Sequence, residues 1–588
     1  MFKVGSLKEE WQFFLISILA VLIAFGGYSL LNYIKYNGNL VINKYEVYFN
    51  PDGNLEEKYE YEVNGHFTML YRVWNAPLLY NQSFEEPFVR VNEINCSYIG
   101  YVKDYYGNVY STDNLYEYEI WEKAFFNEIG CFNPDGYEKG TYEIEYFYTI
   151  YPPVQYDGEI YHMNIKLADK HIPYKNFEIY IDNSTKNIIK IFSHPPFKVS
   201  KGKDFYIIRG ESQRNGLIEF EILLNSTNQK FLFPDKNLME RTLNENEKYY
   251  FYYDIATIFS YALKIIVFAF PVLIAVIYYL HGRERKFFVP KYLSFIPKKR
   301  KPWMVNLLFK KDATDFDNDG LYATLLDLHE KGNIRIEGVE GGKEIKIKLI
   351  SEEGMDKYEN KVYSFLKKHS ENGVFSTNLL RERIKSLKGD EIALSKLKKE
   401  MDSLYKVRDA KDFIINGRYL MLKYFCLSLL IFLTFTVLYL KYFDAYPVLF
   451  DAFFYSLIFS IQFLSTVLAP STLFGKWKKE YYKEKMQWNA FRRFLLDMAQ
   501  LQKYSKEDIL IWKDWLIYAT ALGIGKKVAE SFKKLDVRID EINLIPAIYI
   551  SFASVNRTMT ATYSYSSSGH GSGFGAGGGF GGGGAGGR

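Results

Sequence analysis

Two short stretches carry residue types at spacings that could do chemistry, and the first is an acidic run. In Asp315-Phe-Asp-Asn-Asp-Gly320 the carboxylates alternate ahead of a glycine, as they do where a calcium-binding loop begins. The twelfth position of such a loop supplies a bidentate Glu, and here that position is Leu326. We therefore expect no calcium site. We interpret the run as an acidic lead into a helix N-terminus, where the helix dipole stabilises negative charge.

The second stretch, Gly523-Ile-Gly525-Lys526-Lys527, resembles a phosphate-binding loop. That motif requires a Gly at its first position and a Ser or Thr after the Lys, where this chain has Thr520 and Lys527. We interpret the stretch as the end of a helix. The eight His residues show neither an HExxH pattern nor paired metal-ligand spacing. The sequence therefore predicts no catalytic residues, no cofactor and no metal ligands, so that the protein is not an enzyme.

The three cysteines, Cys96, Cys131 and Cys426, form no CxxC pair, which argues against a zinc ribbon or a thioredoxin-type site. Cys426 lies in an apolar run, where it acts as a small hydrophobic residue. Cys96 and Cys131 share a segment that we place outside the cell, where a disulfide persists. Two interpretations stay open for these two residues: they form a disulfide, or both are simply buried.

Four apolar segments are long enough to cross a bilayer, and they cover residues 11–34, 255–280, 419–442 and 446–475. The first lacks charge and no small-residue cleavage site follows it, so it predicts an uncleaved signal anchor rather than a signal peptide. Lys264, Lys423, Lys441 and Asp451 lie within the predicted spans, and Lys423 and Lys441 are near span ends, where charges are tolerated. We expect Lys264 near the outer end of the second span, with its head group at the interface, and Asp451 at the interface rather than in a functional path. Pro271 predicts either a kink in the second span or a position that a neighbouring span tolerates.

The flanking charges predict the orientation. Residues 281–301, directly after the second span, hold eight basic residues and one acid, and the run from Lys476 to Lys479 follows the fourth span. Basic flanks remain in the cytoplasm, so residues 1–10 and the C-terminus are both predicted inside. The segment 35–254 is then outside, and it carries 22 Lys and Arg against 33 Asp and Glu, a balance of −11. It also holds four candidate N-glycosylation sites, at Asn81, Asn95, Asn183 and Asn225.

The predicted outer segment, residues 35–254, reads as strands. Stretches such as Lys58–Val63 and Thr141–Tyr146 alternate apolar and polar residues, and turn signals such as Asn133-Pro-Asp-Gly136 separate them. Many short strands without a helical period predict an extracytoplasmic, antiparallel, sandwich-like all-β domain.

The predicted cytoplasmic parts are residues 281–418 and 476–562. In the first, a helical stripe at Leu321–Lys331 precedes two alternating stretches, Ile334–Ile336 and Ile345–Leu349, around Glu340-Gly-Gly342. A helix followed by a hairpin predicts a winged-helix-like α+β module, and the second part reads as helical. Residues 563–588 are predicted to be a disordered Ser- and Gly-rich tail, since 13 of the last 20 residues are Gly.

A winged helix suggests nucleic-acid binding, but the sequence argues against it. The helix Leu321–Lys331 holds one Lys and two acids, so it offers no basic recognition face. The module is also tethered between two spans.

Three groups of motifs resemble the YciQ-like family of predicted membrane proteins of unknown function. They are Tyr45-Glu-Val-Tyr-Phe-Asn-Pro-Asp-Gly53 followed by Arg72, Ala323-Thr-Leu-Leu-Asp-Leu-His-Glu-Lys-Gly332 with Ile334-Arg-Ile-Glu337, and Trp488-Asn-Ala-Phe-Arg-Arg-Phe-Leu495 with Trp512, Tyr518-Ala519 and Ala521-Leu-Gly523. The resemblance implies an outer β domain, a membrane-attached interior and a Gly-rich tail. It implies no enzymatic activity and assigns no site residue.

The sequence thus predicts a multi-pass cell-membrane protein that acts as a non-catalytic scaffold or sensor. Its partners are the lipid bilayer and an unidentified protein or envelope component, and its oligomeric state stays open. The alternative is a transporter or a transport-accessory subunit, which the charges Asp451 and Lys264 suggest.

Overall fold

The computed structural model describes residues 9–285, 287–338, 344–407, 410–497, 501–502, 509–537, 539–566 and 585–588. The chain forms two compact units. The β unit comprises Ala20–Phe270, Cys426–Gln462 and Ala576–Arg588. The helical unit comprises Met1–Leu19, Pro271–Phe425 and Phe463–Gly575.

The helices are numbered in chain order. They are α1 (Glu9–Tyr36), α2 (Glu117–Lys123), α3 (Leu238–Phe268), α4 (Phe270–Ile277), α5 (Pro302–Val305), α6 (Asn318–Glu330), α7 (Lys357–Lys368), α8 (Thr377–Ser386), α9 (Glu391–Tyr405), α10 (Gly417–Tyr442), α11 (Leu449–Val467), α12 (Tyr481–Leu495), α13 (Ile509–Ala521), α14 (Gly525–Lys534) and α15 (Glu541–Ser566).

The strands are numbered in the same way, and the predicted alternation of buried and exposed residues runs along many of them. They are β1 (Leu40–Phe49), β2 (Asn54–Val63), β3 (Phe67–Val73), β4 (Leu78–Tyr80), β5 (Phe88–Cys96), β6 (Ile99–Lys103), β7 (Val109–Ser111), β8 (Glu128–Tyr137), β9 (Gly140–Tyr151), β10 (Pro153–Tyr156), β11 (Tyr161–Ala168), β12 (Tyr174–Asp182), β13 (Ile188–His194), β14 (Lys198–Lys201), β15 (Phe205–Ser212), β16 (Ile218–Leu224), β17 (Phe231–Pro234), β18 (Ile334–Gly338), β19 (Ile345–Leu349), β20 (Ser370–Glu371), β21 (Val374–Ser376), β22 (Ile414–Ile415) and β23 (Lys476–Trp477).

Three sheets make up the part of the β unit that the structure describes. The largest has the order β14-β15-β12-β1-β2-β9-β5-β4, and a second has the order β13-β16-β11-β10-β17. The third places a strand from the C-terminal tail, Ala585–Gly587, beside β3 in the order tail strand-β3-β8-β6-β7. Most neighbours are antiparallel, as the sequence predicts. Three pairs are parallel: β1/β12, β4/β5 and β10/β17. Local sequence patterns do not reveal them, because each pair joins strands that are distant in sequence or separated by a crossover.

One buried arginine connects all three sheets. Arg72 on β3 lies with its Nε 3.4 Å from the Glu57 carboxylate on β2, and its Nη2 donates to the Leu167 carbonyl on β11 at 2.6 Å. Its guanidinium also lies 4.1 Å from the centre of the Trp74 ring, and Tyr45 donates to Glu57 at 2.5 Å. Arg72 is 2% exposed and Glu57 is fully buried. Because each sheet contributes a partner, this ion pair fixes the three sheets in one core.

The predicted number of spans is confirmed for the described residues: four helices are long and apolar enough to cross a membrane. They are Glu10–Tyr36, Leu238–Phe268, Gly417–Tyr442 and Leu449–Val467.

Two of these helices differ from the predicted bounds. The second begins at Leu238, well before residue 255, so the end of the predicted β segment is helical. It stops at Phe268, and α4 starts two residues later, at Phe270 beside Pro271, at the predicted kink. The fourth ends at Val467 rather than at residue 475, shortly before Pro470, which lacks the N–H that a continuing helix needs.

Polar side chains inside the span region of the β unit have partners. Lys35 pairs with Asp451 at 2.9 Å, and the Nε2 of Gln462 donates to the carbonyls of Ala20 and Val267 at 3.0 Å each. Lys264 lies 4.8 Å from the centre of the Tyr28 ring. Asp451 and Lys264 are the two charges that suggested a transport path. Each has a structural partner, Asp451 in the ion pair and Lys264 in the cation–π contact.

In the helical unit, α6 precedes the predicted hairpin: β18 and β19 pair antiparallel, with Ile336 opposite Ile347. Its turn, Glu340–Gly342, lies outside the described residues. β19 also pairs with β21. Two further helices follow, α8 and α9, and Asp390 caps the start of α9 by accepting from the Ala393 N–H. The winged-helix-like assignment stays a prediction.

The C-terminal helices pack as expected. The Trp488 ring on α12 lies 5.2 Å from the Tyr518 ring on α13, and Phe494 lies 5.1 Å from Trp515. Residues 1–8 of the predicted cytoplasmic N-terminus lie outside the described residues.

The predicted disordered tail differs from the structure at both ends. The last helix, α15, continues to Ser566, and Ala585–Gly587 form a strand, while residues 567–584 lie outside the described part.

We expect Arg72→Met to lower the free energy of opening of the β unit by about 3–5 kcal/mol, because it leaves the buried Glu57 carboxylate without its cation. Replacing both residues by Met removes both charges and should cost less than the single change. Hydrogen exchange at the amides of β2 and β3, in the purified full chain, measures both effects.

The exposed pair Arg209–Glu178, with its atoms 2.7 Å apart on β15 and β12, is the matched control. The same replacements there should have a much smaller effect, since solvent screens the pair. Equal effects at the two pairs would contradict the role given to Arg72.

Candidate functional site

The second spanning helix begins outside its apolar segment and contacts the β unit there. Residues Leu238–Asp254 of α3 are mostly polar, and the apolar run follows only from Ile255. On this polar part, Asn246 is 2% exposed whereas Asn244 beside it is exposed. Asn246 therefore marks the helix face that packs on the sheet.

Asn246 belongs to a group of polar side chains that we call the junction cluster: His162, His194, Glu219, Glu221 and Asn246. His194 Nδ1 lies 3.0 Å from Glu219 Oε1, and its Nε2 lies 2.8 Å from Asn246 Oδ1. Asn246 Nδ2 donates to Glu221 Oε2 at 2.8 Å, and His162 Nε2 is 3.4 Å from the same oxygen. The cluster joins β11, β13 and β16 to the spanning helix.

The partners determine the protonation of His194. The amide nitrogen of Asn246 donates to Glu221 and to the Thr242 carbonyl, which leaves its oxygen as an acceptor facing His194. Glu219 is an acceptor on the other side, so both ring nitrogens donate and the ring carries a positive charge.

The pKa values agree with this assignment. Burial disfavours the charged ring of His194, but the hydrogen bonds with Glu219 and Asn246 and the charge of Glu221 outweigh it and raise the pKa. Burial also disfavours the Glu221 carboxylate, but hydrogen bonds from His162 and Asn246 lower its pKa below the ordinary value. The cluster is a charged network held by burial and geometry together.

His194, Glu219 and Glu221 are also the kind of side chains that bind a metal ion. Their ligand atoms all lie within 4.8 Å of one another. A metal would need a lone pair on the His194 ring, whereas both nitrogens here face acceptors. The donor set therefore fits a proton better than a metal. The prediction that the chain has no metal ligands stays a prediction.

Aromatic and amide contacts extend the junction to the loop between α10 and α11. The Tyr250 hydroxyl donates to the Ser193 carbonyl at 3.2 Å. The Tyr249 ring stacks on Tyr446 with centres 5.2 Å apart, and Gln213 Nε2 donates to the Pro447 carbonyl at 3.1 Å. The β unit thus holds α3 at several points, and not by a flexible linker.

Sequence reasoning missed this cluster, although one signal was present. Glu219 and Glu221 are two residues apart in the alternating sequence that forms β16, so they share one face. Nothing in the local pattern showed that His194 and Asn246 lie against that face, because β13 and α3 reach it only through the fold.

The cysteines and the candidate glycosylation sites named from the sequence all lie in the β unit. Cys96 and Cys131 are joined by a disulfide, with Cα atoms 6.3 Å apart, and Cys426 is free. Of the glycosylation candidates, three are exposed: Asn81, Asn95 and Asn225.

Asn183 is the exception, since it is 5% exposed and its side chain accepts from the Ile188 N–H. Glycosylation at the three exposed positions stays a prediction.

The acidic run Asp315–Gly320 and the stretch Gly523–Lys527 both have structural roles. Asp317 caps α6 by accepting from the Asp319 N–H, and both aspartates form ion pairs with Lys310. Gly523 has φ +75° just after α13 ends at Ala521, which confirms the interpretation as a helix end.

Four spanning helices, a large β unit in the first half and a helical unit with a small sheet in the second half define a multi-span membrane protein with two folded units. Profile comparison then gives the family. The chain belongs to the DUF2207 family of predicted membrane proteins: the N-terminal domain of the family matches residues 41–224, and the C-terminal domain matches residues 289–532. This confirms the family resemblance predicted from the motifs.

No curated protein matches the sequence. Among solved structures, an M1 zinc metallopeptidase from Deinococcus radiodurans matches with 9% identity and a TM-score of 0.19, over 32% of this chain and 43% of that chain. A mutant of that enzyme matches with 8% identity, and a two-domain mutant bound to L-tryptophan with 7% identity, both with a TM-score of 0.19. The chain spans less than half the length of these enzymes, and likeness at this level carries no argument about function.

The pH dependence of the junction tests the charge on His194. Because the pKa of His194 is raised above its ordinary value of 6.5, its stabilisation is present below that pH and is lost as the pH rises through the raised pKa. Glu221 acts in the opposite direction: its stabilisation is present above 4.5 and is lost as the pH falls through the lowered pKa. We expect the amides at the start of α3 to exchange faster as the pH rises above 6.5 and through the raised pKa of His194, beyond the intrinsic rate increase.

His194→Gln should remove that alkaline loss, since Gln does not titrate. His66→Gln, at an exposed position of the same unit, is the control and should leave it unchanged. Loss of protection that persists in His194→Gln would show that another group titrates.

Proposed function

We propose that the protein is a non-enzymatic, membrane-anchored scaffold or sensor whose β unit contacts a protein or envelope component outside the cell. The observation that carries this proposal is the continuity of α3. One helix runs from the junction cluster on the β unit into the apolar segment, without a break between Leu238 and Phe268.

A continuous helix transmits displacement because its backbone hydrogen bonds resist bending. At the β unit the helix is held by the charged network around His194, and charged hydrogen bonds contribute about 1.5–3 kcal/mol each. A partner that shifts β13 or β16 would therefore move α3 with them rather than slide past it.

The orientation predicted from flanking charges completes the proposal. The basic stretch 281–301 keeps the end of the second span in the cytoplasm, next to the modules 281–418 and 476–562. A displacement of α3 would pass along the chain, through α4 and this basic stretch, to cytoplasmic modules that contact proteins and not nucleic acid. We do not propose transport, because Asp451 and Lys264 each have a structural partner.

Crosslinking in native membranes, with mass spectrometry of the linked proteins, tests the proposal on the full chain. We expect partners linked to lysines of the β unit and other partners linked to cytoplasmic lysines. Asn246→Leu, which breaks the junction cluster, should keep the outer partners and change the yield of cytoplasmic crosslinks by several-fold.

Asn244→Leu makes the same chemical change on the exposed face of the same helix and is the matched control. It should behave as the wild type. Crosslinks confined to the chain itself, or identical cytoplasmic crosslinks in both variants, would contradict the proposed role.

A further inference from the structure

The exposed edge of β3 carries a short segment of the chain's own tail. β3 would otherwise end its sheet with unpaired N–H and C=O groups, a surface to which another strand readily adds. Here Ala585–Gly587 pair with it in antiparallel register, with Gly586 opposite Tyr71 and Gly587 opposite Leu70. We call this site the tail groove. It consists of the exposed edge of β3 and the pocket around the Arg588 side chain, which Tyr71, Lys123, Phe125 and Glu128 line.

Backbone hydrogen bonds fix the segment at both ends. The carbonyl oxygen of Arg588 accepts from the N–H groups of Thr68 and Met69 at 2.6 and 2.9 Å, and its N–H donates to the Met69 carbonyl at 3.1 Å. At the other end, the N–H of Ile172 donates to the Ala585 carbonyl at 3.1 Å. Strand addition of this kind supplies affinity through the main chain and leaves selectivity to the side chains.

The Arg588 side chain occupies a pocket built for a guanidinium. Its Nη2 donates to Glu128 Oε2 at 2.8 Å, and its Nη1 donates to the Lys123 carbonyl. The planar group lies against two rings that are nearly perpendicular to each other, 4.5 Å from the centre of Tyr71 and 4.0 Å from that of Phe125. A planar cation with a fork of donors matches this arrangement, whereas an ammonium group would not stack on the rings.

Glu128 is fully buried, and this gives the pocket its selectivity for charge. Its other oxygen accepts from the Tyr101 hydroxyl at 2.7 Å, and the Phe125 N–H donates to Oε2 at 3.1 Å. The neighbouring Lys103 is engaged elsewhere, since its Nζ donates to the carbonyls of Trp121 and Ala124. A buried carboxylate without a cation is costly, so the pocket is incomplete until a guanidinium enters.

A side chain at either of the two glycines before the arginine would have to displace side chains of the groove. A Cβ on Gly586 would lie 2.5 Å from the Tyr71 hydroxyl oxygen, and one on Gly587 would lie 2.6 Å from a Leu40 methyl group and 2.8 Å from Phe67. Ala585 is 2% exposed, so its methyl group is enclosed as well. The groove therefore selects a sequence and does not merely accept any strand.

We propose that the tail groove is a recognition site for an extended Ala-Gly-Gly-Arg segment, and that its occupant is the tail of the same chain. The inference does not rest on the proposed scaffold or sensor function, but it excludes the orientation used there. Three of the four apolar helices lie between the strands of the β unit and the tail, so four crossings would place the two on opposite sides of the membrane, whereas an occupied groove requires them on the same side. Photocrosslinking in native membranes decides between the two proposals.

Peptide binding to the full chain tests the site itself. In detergent, the Arg588→Ala chain has an empty pocket and should bind a fluorescein-labelled peptide with the sequence of positions 580–588 saturably in an anisotropy titration. The wild type should bind it more weakly, because its own tail competes.

Changes in the peptide leave the fold of the protein untouched. Replacing the peptide arginine by Ala should weaken binding at least about thirtyfold, and Lys should not restore it. Replacing the glycine of position 587 by Val should abolish binding.

In the protein, Glu128→Gln should weaken binding to a similar degree as the Ala peptide, while Glu93→Gln, at an exposed position, should not. Equal binding of the wild-type and Ala peptides, or no saturable binding, would overturn the site.

Photocrosslinking in native membranes tests the occupant. Benzoylphenylalanine in place of Phe125 should link to residues 585–588 of the same chain, and the link should disappear with Arg588→Ala. The same probe in place of the exposed Phe205 should not reach the tail. Absence of the link at position 125, or a link formed only between two copies, would overturn the tail of the same chain as occupant.

Discussion

The β unit depends on one interaction, the buried ion pair between Arg72 and Glu57. Arg72 takes partners from all three sheets, and each partner comes from a distant part of the chain. A guanidinium removed from water is tolerated only with such a set of acceptors, so the sheets must be assembled before the charge is stabilised. The pair therefore makes the β unit cooperative: no single sheet can satisfy Arg72 alone. The tail groove and the junction cluster both belong to this one body.

Both proposed sites lie where a strand of that body meets an element from elsewhere in the chain. The junction cluster receives Asn246 from a spanning helix, and the tail groove receives Arg588 from the tail. In each, a buried charge on the β unit needs an incoming side chain to complete its hydrogen bonds. Recognition at these places is thus a consequence of how the domain satisfies its buried polar groups.

The sequence predicted the helices and strands much better than the contacts between them. Apolar length identified all four spans, and alternation identified the strands around Tyr59 and Ile144, because both signals are local. The cluster around His194 and the groove for Arg588 join residues separated by 52 and by several hundred positions. No periodicity encodes such pairings. The tail was predicted disordered from its glycine content, yet Gly586 and Gly587 are residues at which a side chain would have to displace side chains of the groove.

The unbroken helix α3 also fixes a rotational phase between the β unit and the bilayer. An α-helix turns by about 100° per residue, so the face that carries Asn246 determines which side chains of the apolar segment point toward α1, α10 and α11. An insertion of one residue between Asp254 and Ile258 would turn those faces by about 100° while leaving helix length and hydropathy almost unchanged. Among homologous chains, the spacing from the junction to the apolar segment should therefore vary in whole helical turns, near multiples of seven or eleven residues, and not residue by residue.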